Sequence, residues 1–172
     1  LFTGRIERRR RKVLAGLFLL GGLQGFIGWW MVKSGLVDRP DVSHYRLTVH
    51  LGVAFLILGA LIWVALDLLS KSEPVAASGA VRGLRVWSWL AVLLVLLQAL
   101  SGGLVAGLDA GFVYNSFPMM NEYWLPPELG TLSPWWLNMF ENVVTVQFDH
   151  RIGAYLCTLL LLGLWFKARS LA

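Results

Sequence analysis

The sequence has little charge: Asp, Glu, Lys and Arg make up 15% of its 172 residues, against about a quarter in a soluble globular domain. It has a single cysteine, Cys157, so no disulfide framework can form within the chain. It also lacks the low hydrophobicity that intrinsic disorder requires, because 57% of its residues are hydrophobic and the mean hydropathy is +0.65. A water-soluble domain is excluded by the same figures. No secretory signal is visible: Arg8-Arg9-Arg10-Arg11-Lys12 precedes an apolar run, but no A-x-A-like cleavage site closes that run. The chain begins on Leu1 rather than Met and stops just past an apolar run. It reads as part of a longer protein.

What the sequence does contain is long apolar runs. A bilayer-crossing helix needs about 20 mostly apolar residues. Val13–Val32, Leu47–Leu66 and Val86–Leu108 each meet that length without an acidic or basic residue other than histidine. The fourth run, Asn142–Phe166, carries Asp149-His150-Arg151 inside it. A triplet so costly in hydrocarbon is expected to face protein, a cofactor or the interface. The expectation is an all-α integral membrane protein with four transmembrane helices, forming one membrane domain over 1–172. Its spans lie at about 13–36, 44–68, 84–108 and 142–166, with an outer interfacial segment at 109–141.

Lys and Arg orient these spans through the positive-inside rule. Arg5, Arg8 to Arg11, Lys12, Lys71, Arg82, Arg85, Lys167 and Arg169 fall on one side, and Lys33, Arg39, Arg46 and Arg151 on the other. The basic N-terminal segment is therefore assigned to the cytoplasmic side and segment 109–141 to the outer side. The pI near 9.8 reports topology, not nucleic acid. Residues 70–83 are small and polar, a plain cytoplasmic linker. Asp109–Glu141 instead holds four of the six prolines and many aromatics, among them Tyr123, Trp124, Trp135 and Trp136. Tyr and Trp favour the headgroup level, so this segment reads as a lid on the membrane. Within it Ser133-Pro134 reads as the N-cap and first position of a short interfacial helix.

The histidines are His44, His50 and His150. His44 reads as a polar loop residue. His50 lies a few residues inside the second span and His150 about two turns inside the fourth, both near the outer leaflet. Gly52 and Ala54 follow the first, and Gly153 and Ala154 the second, leaving room for a flat macrocycle. Arg46 stands one turn before His50, and Arg151 adjoins His150. An arginine there can pair with a carboxylate such as a heme propionate, and neutral imidazole is a usual axial ligand for heme iron. Two other readings stay open: an interhelical hydrogen bond, and a proton relay through Asp149. The preceding spans carry a weak echo, Leu23-Gln24 with Gly28 against Leu97-Gln98 with Gly102. Close helix approach suffices to explain the glycines.

Four blocks carry a resemblance. They are G-L-Q-G-F-I-G-W-W-M-V-K-S-G-L (Gly22–Leu36), Y-R-L-T-V-H-L (Tyr45–Leu51), A-G-L-D-A-G-F-V-Y-N-S-F-P-M-M (Ala106–Met120) and N-M-F-E-N-V-V-T-V-Q-F-D-H-R (Asn138–Arg151). Together they resemble the heme A synthase family, in its alphaproteobacterial and mitochondrial branch without loop cysteine pairs. That resemblance implies an eight-helix double bundle, of which this chain would be helices three to six. It implies an oxidoreductase that converts a methyl group of heme O to the formyl group of heme A for cytochrome oxidase, with water as oxygen source. His50 would then be an axial ligand to heme O iron, His150 an axial ligand to the iron of a heme b cofactor, and Arg46 and Arg151 propionate partners. Each histidine's own partner would lie on a helix outside this chain, so the 172 residues alone are expected to be inactive. Asp109, Asn115 and Glu141 are expected to fix the outer segment's backbone rather than to touch a heme.

The resemblance also implies contact with membrane lipid and with the enzyme that makes heme O. It leaves open the electron acceptor and a homo-oligomer. The expected location is the bacterial inner membrane, with the mitochondrial inner membrane as the alternative. The rival readings are a diheme membrane cytochrome b that only carries electrons, and a heme-free transporter or assembly subunit. The orientation is testable by itself. In a Cys157→Ser background, an impermeant thiol reagent added outside intact cells should label Glu122→Cys and spare Ser78→Cys; the opposite pattern refutes the assignment.

Overall fold

In hydrocarbon no water is available to pair backbone N–H and C=O groups, so apolar runs of this length must satisfy them internally as helices. The computed structural model describes residues 8–35, 41–70 and 79–171. They form α1 (Arg8–Gly35), α2 (His44–Leu69), α3 (Gly79–Gly107), α4 (Asn138–Glu141) and α5 (Val143–Arg169), with 3₁₀ turns at Ala110–Phe112 and Trp135–Leu137. No strand occurs among the described residues. Four helices, α1, α2, α3 and α5, are long and apolar enough to cross a membrane. The protein is an all-helical, multi-pass membrane protein in contact with lipid.

The four long helices pack as a row: α1 on α2, α2 on α3, and α3 on α5. In the central contact backbone meets backbone. A Cβ placed on Gly107 would stand 2.5 Å from the Cα of His44, and one on Gly103 would stand 2.9 Å from Thr48 Oγ1 and 3.1 Å from Thr48 Cα. Gly103-x3-Gly107 on α3 thus meets His44-x3-Thr48 on α2 backbone to backbone, the small-residue packing by which helices associate in lipid. Gly52 extends the seam, since a Cβ there would meet Leu100 Cδ2 at 2.8 Å. His44, expected in a loop, is the first residue of α2 and lies over Gly107.

The buried core sits at one end of the row, where segment 109–141 folds over α3 and α5. Leu104, Ala110 and Val146 form one cluster; Tyr114, Met120 and Val144 form another. The chain leaves α3 through Asp109 at φ 54°, a left-handed conformation that Asp and Asn adopt more readily than other side chains. Asn142 then starts α5. Its Oδ1 accepts from the N–H groups of Val144 and Thr145, each at 3.0 Å, while its Nδ2 donates to Glu128 O, Thr131 Oγ1 and Asn138 Oδ1. Asn138 in turn accepts from Leu132 N and donates to Leu132 O and Trp135 O. The Ser133-Pro134 reading places the helix start one residue early. Pro134, extended at φ −68° and ψ 156°, is the cap residue, and only one 3₁₀ turn follows before α4.

Two variants test these contacts in detergent-solubilised protein. Gly107→Val should separate α2 from α3 and destabilise by about 3 kcal/mol or more, beyond ordinary overpacking, visible as a lowered Tm. Asn142→Ala should cost about 1–2 kcal/mol as a lost cap, and proteolysis should then begin within 126–142. A wild-type Tm in either variant would contradict the assigned contact.

Candidate functional site

His50 and His150 occupy different seams. The His50 imidazole lies on α1: a Cβ on Gly28 would stand 3.0 Å from its Cε1, with both ring nitrogens slightly farther. The His150 imidazole lies on α3, its Cε1 3.3 Å from the Cβ position of Gly102. One turn before each of these glycines is a glutamine whose carboxamide crosses to the histidine's own backbone. Gln24 Nε2 donates to His50 O at 2.9 Å, and Gln98 Nε2 donates to His150 O at 2.9 Å. The echo seen in sequence is thus one cradle built twice, Gln-x3-Gly on one helix receiving a histidine from the next. Both imidazoles are half-buried.

The cradles differ at the position between glutamine and glycine that faces the ring. On α3 this is Ser101, whose Oγ lies 2.8 Å from His150 Nδ1 and donates to Gln98 O at 2.8 Å. On α1 it is Ile27. His50 Nδ1 and Gln24 Oε1 are buried without a hydrogen-bond partner among the described residues. Sequence reasoning found the glutamines and glycines but not Ser101. Its signal was there, a hydroxyl three residues after Gln98 inside an apolar span.

The small residues after each histidine do not leave the space expected of them. Gly52 is filled by Leu100, and Gly153 by the carboxamide of Gln98, whose Oε1 lies against the position a Cβ would take. The room beside each ring comes instead from Gly28 and Gly102 on the facing helix.

The two arginines also differ. The Arg46 guanidinium stacks over Trp30 of α1 at 4.4 Å from the ring centroid, at the outer end of the His50 seam. Arg151 turns to the outer segment, donating from Nη1 to Ser116 O and Met119 O and from Nη2 to Tyr114 O. Gln147, one turn earlier and 5% exposed, donates to the same Tyr114 carbonyl at 2.8 Å. Asp149 meets neither arginine and is exposed on α5.

The other outer polar groups hold the segment. Asn115 Nδ2 donates to Phe112 O, and Glu141 accepts from the Tyr45 hydroxyl with His44 Nε2 3.6 Å away. Tyr114 donates to the Glu128 carboxylate at 2.9 Å, and that bond pushes its phenol above the ordinary value.

Among the described residues no three His, Cys, Asp or Glu side chains converge on a common point. A groove of about 540 Å³ does open between α3 and α5, lined by Trp87, Leu159, Leu164 and Lys167 among others. It lies at the far ends of these helices from both histidines.

The heme A synthase of Nitrosospira multiformis is 52% identical over 165 residues, covering 96% of this chain and 46% of the relative. That of Nitrosomonas eutropha is 47% identical over 173 residues (98% and 48%), and that of Agrobacterium fabrum 49% over 163 residues (95% and 43%). The chain spans a little under half the length of these curated relatives. No solved structure matches it. The family model described as cytochrome oxidase assembly protein matches residues 1–172, and the chain belongs to that family.

Proposed function

We propose that this chain is the central part of a heme A synthase of the bacterial inner membrane, with the basic end of α1 cytoplasmic and segment 109–141 outside. The reaction is oxidation of a heme O methyl group to a formyl group. One methyl and one water give one formyl, four protons and four electrons, the electrons passing to an acceptor outside this chain. The observation that carries the reading is the repeated cradle: two half-buried imidazoles in separate seams, each set against a glycine of the facing helix. A merely structural histidine does not need a Cβ-free surface beside its ring.

In this reading His50 would hold the iron of the heme O substrate and His150 that of a heme b. Heme b, when bound, supplies one-electron transfer. The protein's own side chains orient and hold. Gln24 and Gln98 tie each histidine's backbone to the neighbouring helix, fixing where its ring emerges. Arg46, stacked on Trp30, keeps its N–H edge for a propionate. Arg151 already serves three carbonyls of the outer segment, so its main task is to clamp that segment over the His150 helix; its remaining N–H groups are what it can offer a propionate. Each iron would need a further ligand from outside this chain. The 172 residues alone then hold neither heme fully and do not turn over. Transfer of heme O from its synthase, and self-association, belong to the same proposal.

The test is pyridine-hemochrome analysis of a relative-length protein carrying this segment. His150→Ala should lose heme b, and His50→Ala should neither retain heme O nor yield heme A, each with at least a tenfold loss. If both variants keep wild-type heme content and product, the histidines are structural and the proposal fails.

A further inference from the structure

The two cradles repeat the glutamine, its bond to the histidine carbonyl and the glycine, but only the α3 cradle brings polar atoms to the imidazole nitrogens, and these bear on which ring nitrogen carries the proton. Gln98 Nε2 lies 3.0 Å from His150 Nδ1 and 3.4 Å from Nε2. An atom that near both ring nitrogens in the ring plane would collide with Cε1, so the amide stands over the ring face and satisfies neither lone pair. The other polar atom at the ring is Ser101 Oγ. Its hydroxyl has one proton, which it gives to Gln98 O at 2.8 Å, the back-bonding usual for serine in a helix. The 2.8 Å contact with His150 Nδ1 must then run the other way, with the ring nitrogen donating and the serine oxygen accepting.

We infer that Ser101 is a positioning residue: it holds His150 in the Nδ1–H tautomer and so presents Nε2 as a permanently prepared ligand. Ile27 at the equivalent place leaves His50 without such a partner and makes its seam the exchangeable one. This rests on the reading of both histidines as axial ligands. Metal-bound histidines nearly always donate their other ring N–H to a fixed acceptor, which sets ring orientation and raises ligand basicity. A resident heme needs that permanence, whereas a substrate that must leave as product does not. Ser101 supplies the acceptor to one seam. In the other, His50 Nδ1 is buried with no partner among the described residues, and the side chain that replaces the hydroxyl has no polar atom. The asymmetry in a fixed acceptor at Nδ1 follows the residue three after the glutamine, serine in one cradle and isoleucine in the other.

The experiment compares Ser101→Ala, Ser101→Thr, Ile27→Ser and His150→Ala in a relative-length protein carrying this segment. The readouts are low-spin electron paramagnetic resonance and heme retained after detergent washing. Ser101→Ala should shift the g-values of the heme b signal and weaken its retention by about 10- to 100-fold. Ser101→Thr, which keeps the hydroxyl, should restore both. Ile27→Ser should slow heme loss from the His50 seam by about tenfold, a change that a purely structural serine on α3 does not predict. If Ser101→Ala keeps wild-type g-values and retention while His150→Ala loses heme b, the positioning role is wrong and the ligand role stands. If His150→Ala also keeps heme b, the ligand reading itself is wrong. Should Ser101→Ala fail to accumulate, Ile27→Ser decides: slower loss supports the inference, and unchanged loss overturns it.

Discussion

The row of helices depends on one contact, the backbone approach of α3 to α2 at Gly103 and Gly107. In lipid there is no hydrophobic force between apolar helices, so association rests on close packing and on the few polar groups that can pair. With Cβ atoms at those two positions, His44 and Thr48 would have to retreat. The contact sets the spacing between the His50 and His150 helices, because α1 and α5 are seated on the outer faces of the α2–α3 pair. Two chemically separate seams result.

The second constraint is the outer segment, which is a folded cap and not a loose loop. Buried Asn138 and Asn142, Gln147 and Arg151 direct their polar atoms at backbone groups of the segment. Each removes a carbonyl or N–H that would otherwise be left unpaired near hydrocarbon. Gln147 and Arg151 stand one turn apart on α5, beside His150. The segment's position and the ring's position are thereby tied to the same turns of helix. Outside this polar frame Phe112, Phe117, Trp124 and Trp135 stay largely exposed, as suits rings at a headgroup boundary.

The repeated cradle shows how a weak sequence signal acquires meaning. Gln24 with Gly28 and Gln98 with Gly102 are ordinary letters in glycine-rich spans, and helix packing alone would account for the glycines. In space each pair surrounds a histidine of the following long helix, with the amide on that histidine's carbonyl and the glycine under its ring. Gly52 and Gly153, which follow the histidines and were the natural candidates for space, serve helix packing and the Gln98 carboxamide. The difference arises because a helical residue's neighbours in space belong to the facing helix, whose register sequence spacing does not reveal.

Some of this protein was determined by sequence alone. Apolar run length set the number of spans, since the hydrocarbon thickness and the backbone's need for internal hydrogen bonds allow no other structure. The motif blocks around His50 and His150 carried the family. Tertiary structure decided the rest: that His44 belongs to α2, that Arg151 clamps carbonyls while Arg46 stacks on Trp30, and that Ser101 meets the His150 ring at Nδ1. Each of these depends on rotation and register between helices. Those follow from side-chain volumes summed over a whole contact face, so no single position states them in advance.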